Sequence, residues 1–319
     1  TGLGHPIEVV SGREEARLIY LGVAHGMPQS RQRRLVMDIG GGSTEFIIGQ
    51  GFEALETESV QMGCIASTLR FFGDGKISAK RWRQAQTEMG VELQQFAADY
   101  RQRGWGEAIG SSGTARAIGN IVQANAWCEQ GISASAIARL RDALIEAGSI
   151  DNIRLAGLAE ERTHVIAGGV AIMEAAFETF ALEQMSVCET AMREGLLYDL
   201  LGRALHADPR SASIAALAVR YGVDRAQATR VHHAAMVLFD QVADDWQLGA
   251  LDRDLLGWCA DIHELGLAIA HSLHHLHGAY IVANSDLAGF SRQGQQALAA
   301  IIRSHRRKPD RESIDALPE

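Results

Sequence analysis

The run Asp38-Ile-Gly-Gly-Gly-Ser-Thr-Glu45 separates two short β-prone stretches, Leu35 to Ile39 and Glu45 to Gly49, and few folds accept that order. Three glycines between two such stretches make a hairpin with its polar residues gathered at the bend. The same glycines leave backbone N–H groups unshielded, so Gly40, Gly41 and Gly42 can point together at a phosphate oxygen. Ser43 and Thr44 add hydroxyl donors. Asp38 and Glu45 place a carboxylate at either edge, and these would repel phosphate unless a divalent cation sat between them. The spacing therefore predicts a magnesium-type metal on Asp38 and Glu45. The competing reading is a tight turn in which glycine only relieves strain; for a lone glycine triplet it holds roughly even odds. The flanking acids weigh against it.

A second turn, Gly110-Ser-Ser-Gly-Thr114, ends a short strand from Ala108 to Ser111 and precedes a helix expected to begin near Ala115. Free amides and the helix dipole favour an anion there, which makes Ser112, Gly113 and Thr114 phosphate-binding candidates. With helices between Ser78 and Tyr100, the alternation indicates an α/β domain to about residue 203. Ahead of it, Ile7 to Val10 reads as a strand feeding a helix through a capping box, Ser11-Gly-Arg-Glu14. That strand lacks partners, so the opening residues are expected to be the remnant of a preceding domain.

Past Ala207-Asp-Pro209 strand signals stop and helical spacing takes over; nine of the twelve histidines fall from His206 onward. An all-helical domain is expected there. The balance of 30 basic against 39 acidic residues, net −9, argues against a nucleic-acid or anionic-membrane partner. Four separated cysteines suggest neither a disulfide framework nor a thiolate zinc site, in keeping with a reducing cytoplasm. No charged-then-apolar leader is evident, and the most apolar stretch, Val165 to Leu182, carries Glu174 and Glu178; export and integral membrane contact are not expected.

Taken in order, these motifs resemble the exopolyphosphatase and guanosine pentaphosphate phosphohydrolase family of the sugar kinase, actin and Hsp70 superfamily. The likeness is carried by Ile7-Glu-Val-Val-Ser-Gly-Arg-Glu-Glu-Ala-Arg-Leu18, Met37 to Glu45, Met62-Gly-Cys64, Gly110 to Thr114, Gly157-Leu-Ala-Glu-Glu-Arg162 and Arg193-Glu-Gly195. It continues into His263-Glu-Leu-Gly266 and His274-His-Leu-His-Gly-Ala-Tyr280.

The resemblance implies an α/β actin-like (ribonuclease H-like) domain followed by an all-α HD-like domain. Residues 1–24 would be the C-terminal remnant of a first actin-like domain, 25–207 the second, and 208–319 the helical one. It implies that Glu15, otherwise an ordinary acid in a helix's first turn, activates the attacking water, and that Asp38 and Glu45 serve metal and water. Gly40 to Ser43 and Ser112 to Thr114 would hold terminal phosphates, with Arg193 either a phosphate clamp or a structural ion pair. The implied activity removes terminal phosphate from inorganic polyphosphate, with Mg2+ or another divalent cation, in a homodimer. The alternative substrate is guanosine pentaphosphate, and a different class is a non-catalytic polyphosphate or alarmone sensor.

The chain departs from the family pattern in three ways. The family's first phosphate loop, an aspartate followed by Gly, Ser and Asn, is not found, which implies a fragment inactive by itself. Cys188-Glu-Thr190 stands where Ser, an acid or polar residue, and Gly are usual, and the chain stops soon after Lys308. In the helical part, Glu264 follows His263 where an HD site has aspartate, leaving Asp261 with His232 or His233 as candidate ligands. A scaffold that has lost its metal is the favoured reading, the other being an anion path along His271 to His277 and Arg303 to Lys308.

Overall fold

The computed structural model describes residues 7–204 and 208–306, which form two units, 15–201 and a second made of 202–306 with 7–14. The first unit opens on helix α1 (Gly12–Gly26) and builds one six-stranded sheet in the order β3-β2-β1-β4-β6-β5. Strands β1 (Arg34–Ile39), β2 (Thr44–Gln50) and β3 (Glu53–Val60) are antiparallel neighbours, while β4 (Glu107–Gly110) joins β1 in parallel. β6 (Gln184–Val187) runs parallel to β4, and the two-residue β5 (Ile132–Ser133) closes the far edge.

Strand alternation decides which side chains reach which layer. Leu35, Met37 and Ile39 of β1, with Phe46 and Ile48 of β2, join a core built with helices α2 (Cys64–Phe72), α3 (Ala79–Arg103), α4 (Gly113–Ala124), α5 (Ala134–Ala147) and α6 (Ile166–Phe180). Val36, Ile47 and Ile109 belong to a smaller core against Ala16, Ile19, Tyr20 and Val23 of α1. Asp38 is in phase with Val36 and Glu45 with Ile47, so both acids fall on the α1 side. The register pairs them directly.

Helix α6 is the apolar stretch that is too charged for a membrane; Glu174 inside it accepts from Trp82 Nε1 (2.6 Å) and Arg141 Nη1 (2.7 Å). No helix among the described residues is long and apolar enough to cross a membrane. β3 carries little sequence signal because it is an edge strand with partly exposed faces, and edges tolerate its glutamates.

Helix α7 (Met192–Ala204) approaches α1 until backbones touch. A Cβ on Gly195 would overlap the Leu18 carbonyl and stand 3.0 Å from Gly22 N, which accounts for the glycine of Arg193-Glu-Gly195. Arg17 and Asp199 pair across the same crossing at 2.6 Å. Gly195→Val is expected to cost about 2–4 kcal/mol, since backbone cannot yield to the added atoms; denaturant unfolding measures it. Thr190, at the position usually held by glycine, fits because its side chain fills the space beside Gly26 and its hydroxyl donates to Gly22 O at 2.8 Å.

Ile7 to Val10 does not form the expected strand. Ile7 and Val9 are exposed, and with no partner strand the backbone of Val9 instead bonds Arg292 N (2.8 Å) and the Gln293 side chain (3.0 Å). Ser11 does cap α1, its hydroxyl accepting from Glu14 N–H. The second unit is helical throughout its described residues: α8 (Pro209–Arg220), α9 (Arg225–Trp246), α10 (Ala250–Ile262), α11 (His274–Asn284) and α12 (Arg292–Ser304). Asp208, Asp224 and Ser291 cap α8, α9 and α12, and Ile214, Leu217, Trp258, Ile262, Val282 and Leu298 fill the core. The expected boundary at Ala207 and the basic residues Arg307 and Lys308 lie outside the described residues.

Candidate active site

The first glycine turn is held from one side only. Gly40 N–H donates to Ser43 O at 2.9 Å, closing the bend. The opening amides of α2 then take the turn's carbonyls, Cys64 N–H to Gly40 O (2.9 Å) and Ile65 and Ala66 N–H to Gly41 O (3.0 and 3.1 Å). None of the turn's backbone bonds among the described residues uses the Gly41 or Gly42 N–H. The loop thus spends its acceptors on the fold and keeps its donors for an anion. This packing requires Gly63, where a Cβ would overlap the Gly41 carbonyl and stand 2.5 Å from Gly42 N.

The second turn is tied to the first through Asp38. Ser111 N–H donates to Met37 O (3.1 Å) and its hydroxyl to Asp38 Oδ2 (2.7 Å). Ser112 caps α4, accepting from Ala115 N–H at 3.0 Å, which leaves the first amides of that helix open in the usual way. The Arg162 guanidinium lies against Gly113, in the space a Cβ there would enter.

Three carboxyl groups, Glu15, Asp38 and Glu45, lie near enough on this face to act on one another's charge. Burial raises Glu15 above the usual carboxylate range, and the charge of Asp38 adds to the rise. Asp38 is raised by burial, opposed by the Ser111 hydrogen bond and the Arg116 charge. Buried Glu45 is pushed up to about 7, first by burial and then by Glu15 and Asp38, against hydrogen bonds from Ser43 and Ser59, the latter at 2.9 Å. Such an arrangement supplies a base poised near neutral pH and an excess of negative charge beside two anion-binding turns.

The chain matches the model described as the Ppx/GppA phosphatase family over residues 1–204 and that described as Ppx/GppA phosphatase, domain III, over residues 210–319. It belongs to the Ppx/GppA phosphatase family. It is 38% identical over 305 residues to the guanosine-5'-triphosphate,3'-diphosphate pyrophosphatase of Aeromonas hydrophila, spanning 95% of this chain but only 61% of that protein's length. The crystal structure of an exopolyphosphatase from Cytophaga hutchinsonii is similar at 26% identity and TM-score 0.54, over 61% of this chain and 65% of that one. An Aquifex aeolicus family member shares the fold at 22% identity and TM-score 0.54, over 63% and 66% of the two chains.

The oxygen-only donor set of Asp38 and Glu45 fits a hard cation that keeps much of its water shell. Among the described residues no three potential metal ligands converge, here or in the helical unit. There, His232 rather than His233 meets Asp261, Nδ1 to Oδ1 at 2.8 Å, whereas His263 turns Nδ1 to Ala260 O and its ring toward His305.

Two hydroxyls expected to face phosphate do not. Thr44 donates to Met62 O and Thr114 to Ile39 O (3.0 Å); both are buried, because they tie the turns to the segment ahead of α2 and to the end of β1, so Thr114 can offer an anion only its amide. Arg193 lies exposed in the first turn of α7, its charge acting on neighbouring Glu194 as does that of Arg116. Sequence reasoning missed Ser111 and Arg116. Arg116 was findable, three residues past Gly113 and so on one helical face with it.

Proposed function

We propose that the protein hydrolyses the terminal phosphoanhydride of guanosine pentaphosphate, releasing inorganic phosphate and the tetraphosphate. The observation that carries this reading is the meeting of Glu15, Asp38 and Glu45 on one sheet face between two glycine turns. Membership of the family supports a phosphoanhydride hydrolase, and the activity named for the Aeromonas hydrophila relative supports guanosine pentaphosphate over inorganic polyphosphate, the substrate first expected from the motifs. The likeness to the Cytophaga hutchinsonii exopolyphosphatase keeps polyphosphate as the second reading. The scaffold we infer is actin-like, an antiparallel β1–β3 hairpin pair continued by parallel β4, with an HD-like helical unit beside it in sequence.

In the mechanism, the Gly41, Gly42 and Ser43 amides hold the terminal phosphate and the α4 N-terminus its neighbour. Glu15 takes the proton of the attacking water as the new bond forms to terminal phosphorus and the bond to the bridging oxygen breaks. Asp38, oriented by Ser111, and Glu45 would hold a magnesium ion, which when bound neutralises charge on the phosphoryl oxygens. Comparing kcat/KM for the two substrates in the full-length protein tests the assignment: a clear preference for guanosine pentaphosphate is expected, and release from polyphosphate alone would reverse it.

Asp38→Asn is expected to raise the magnesium concentration for half-maximal turnover by about tenfold or more, as loss of a ligand or its support does. A metal titration that superimposes on wild type removes Asp38 from the metal site. Glu45 gives a pH signature in metal-free protein. Its folded value of about 7 lies above the ordinary 4.5, so its contribution to stability is complete below 4.5 and lost as pH rises through 7. Relative to Glu45→Gln, wild type should lose roughly 3 kcal/mol between pH 4.5 and 8 in chelator. Parallel pH dependence in the two proteins contradicts this.

A further inference from the structure

Four side chains form one row across the sheet. Asp38 of β1 pairs with Glu45 of β2, and Glu45 in turn pairs with Ser59 of β3. Ser111, the residue after β4, completes the row on the other side of Asp38, because Gly110 is the register partner of Met37. The order is thus hydroxyl, carboxylate, carboxylate, hydroxyl across four neighbouring strands, whose spacing of about 4.8 Å puts each side chain within reach of the next. Each outer hydroxyl donates to the acid beside it, Ser111 Oγ to Asp38 Oδ2 at 2.7 Å and Ser59 Oγ to Glu45 Oε1 at 2.9 Å. The register shift between β2 and β3 falls at Ile48 and Gly49, beyond this point, and leaves the pairing of Glu45 with Ser59 intact.

The two acids differ in how much they need such a partner. Asp38 has a short side chain on a strand with neighbours on both sides, whereas Glu45 has one more torsion to fix before its carboxyl stays in one place. Two hydroxyls act on Glu45, those of Ser43 and Ser59. Ser43 belongs to the glycine turn that would carry the terminal phosphate, and a phosphate oxygen competes for the one proton its hydroxyl can donate. Ser59 lies on the edge strand β3 and takes no part in either glycine turn. Its proton stays with Glu45 when phosphate is bound.

We propose that Ser59 is a positioning residue for the reaction, holding Glu45 Oε1 from the edge strand so that the carboxyl keeps its place beside Asp38 when Ser43 turns to the phosphate. The inference rests on the metal and water role proposed for Glu45. It adds a residue that lies outside both turns.

Calorimetric Mg2+ binding to the full-length protein, with inorganic phosphate present to occupy the turn, tests this beside kcat and KM for guanosine pentaphosphate. Ser59→Ala is expected to weaken Mg2+ binding about tenfold or more and to lower kcat by a similar factor with KM little changed, as loss of a ligand's supporting partner does. Ser59→Thr keeps the hydroxyl and suits a strand, so it should restore both to near wild type. In a Glu45→Gln background Ser59→Ala should change neither quantity further, since it acts only through that carboxyl. Wild-type Mg2+ binding and kcat in Ser59→Ala overturn the inference. So does a loss that Ser59→Thr fails to restore, or one that persists in the Glu45→Gln background. If Glu45→Gln by itself leaves both quantities unchanged, the role of Glu45 fails and the inference with it, whereas a defective Glu45→Gln beside an unaffected Ser59→Ala removes Ser59 alone.

Discussion

Glu15→Gln is expected to lower turnover of the full-length protein by about 10²- to 10⁴-fold, the span usual for loss of a positioned general base. The amide keeps the size and hydrogen-bonding reach of the carboxyl but cannot take a proton from water. Substrate affinity should change little, because the phosphate-holding amides belong to the turns at Gly40 to Ser43 and Ser112 to Thr114. Measuring kcat and substrate binding separately makes the distinction. Turnover within threefold of wild type, on the order of half a kcal/mol in barrier, would remove Glu15 from the base role.

Gly63→Val is expected to have the second largest effect, on stability and catalysis together. A side chain there overlaps the Gly41 carbonyl and presses on Gly42 N, so either α2 lifts from the turn or the turn moves. Loss of about 2–4 kcal/mol is expected from strain of that kind. Displacement of the phosphate-holding amides by even about 1 Å should cost a further 10²-fold in turnover. Gly42→Ala is the matched control for stability, since nothing lies within 4 Å of the Cβ it would add. Unfolding curves that do not separate the two variants would contradict the close packing of α2 on the turn.

Much of the α/β unit is legible because glycine and alternation are local signals. The hairpin bend, the helix after Gly110 to Thr114 and the side taken by Asp38 and Glu45 all follow from turn chemistry and a period of two. Glu15 reaching that same side is not local, because it depends on α1 lying across α7 at Gly22 and Gly195, two glycines far apart in the chain. The fate of hydroxyls is similarly hidden: Ser43 faces Glu45 while neighbouring Thr44 turns inward to Met62 O, and only the packed α2 decides between them. β3 escapes pattern reading since an edge strand need not bury either face. The Ile7 to Val10 segment fails in the opposite sense, reading as a strand from composition but finding Arg292 and Gln293 in place of a ladder.

The central claim is that Glu15, Asp38 and Glu45 serve attack by water on a terminal phosphorus held by the two turns. Hydrolysis of guanosine pentaphosphate in oxygen-18 water, with mass analysis of both products, tests it most directly. One labelled oxygen is expected in the inorganic phosphate and none in the tetraphosphate, with the labelled product nearly abolished in Glu15→Gln. Label in the nucleotide product, or transfer of the phosphoryl group to another acceptor without free phosphate, would contradict the account.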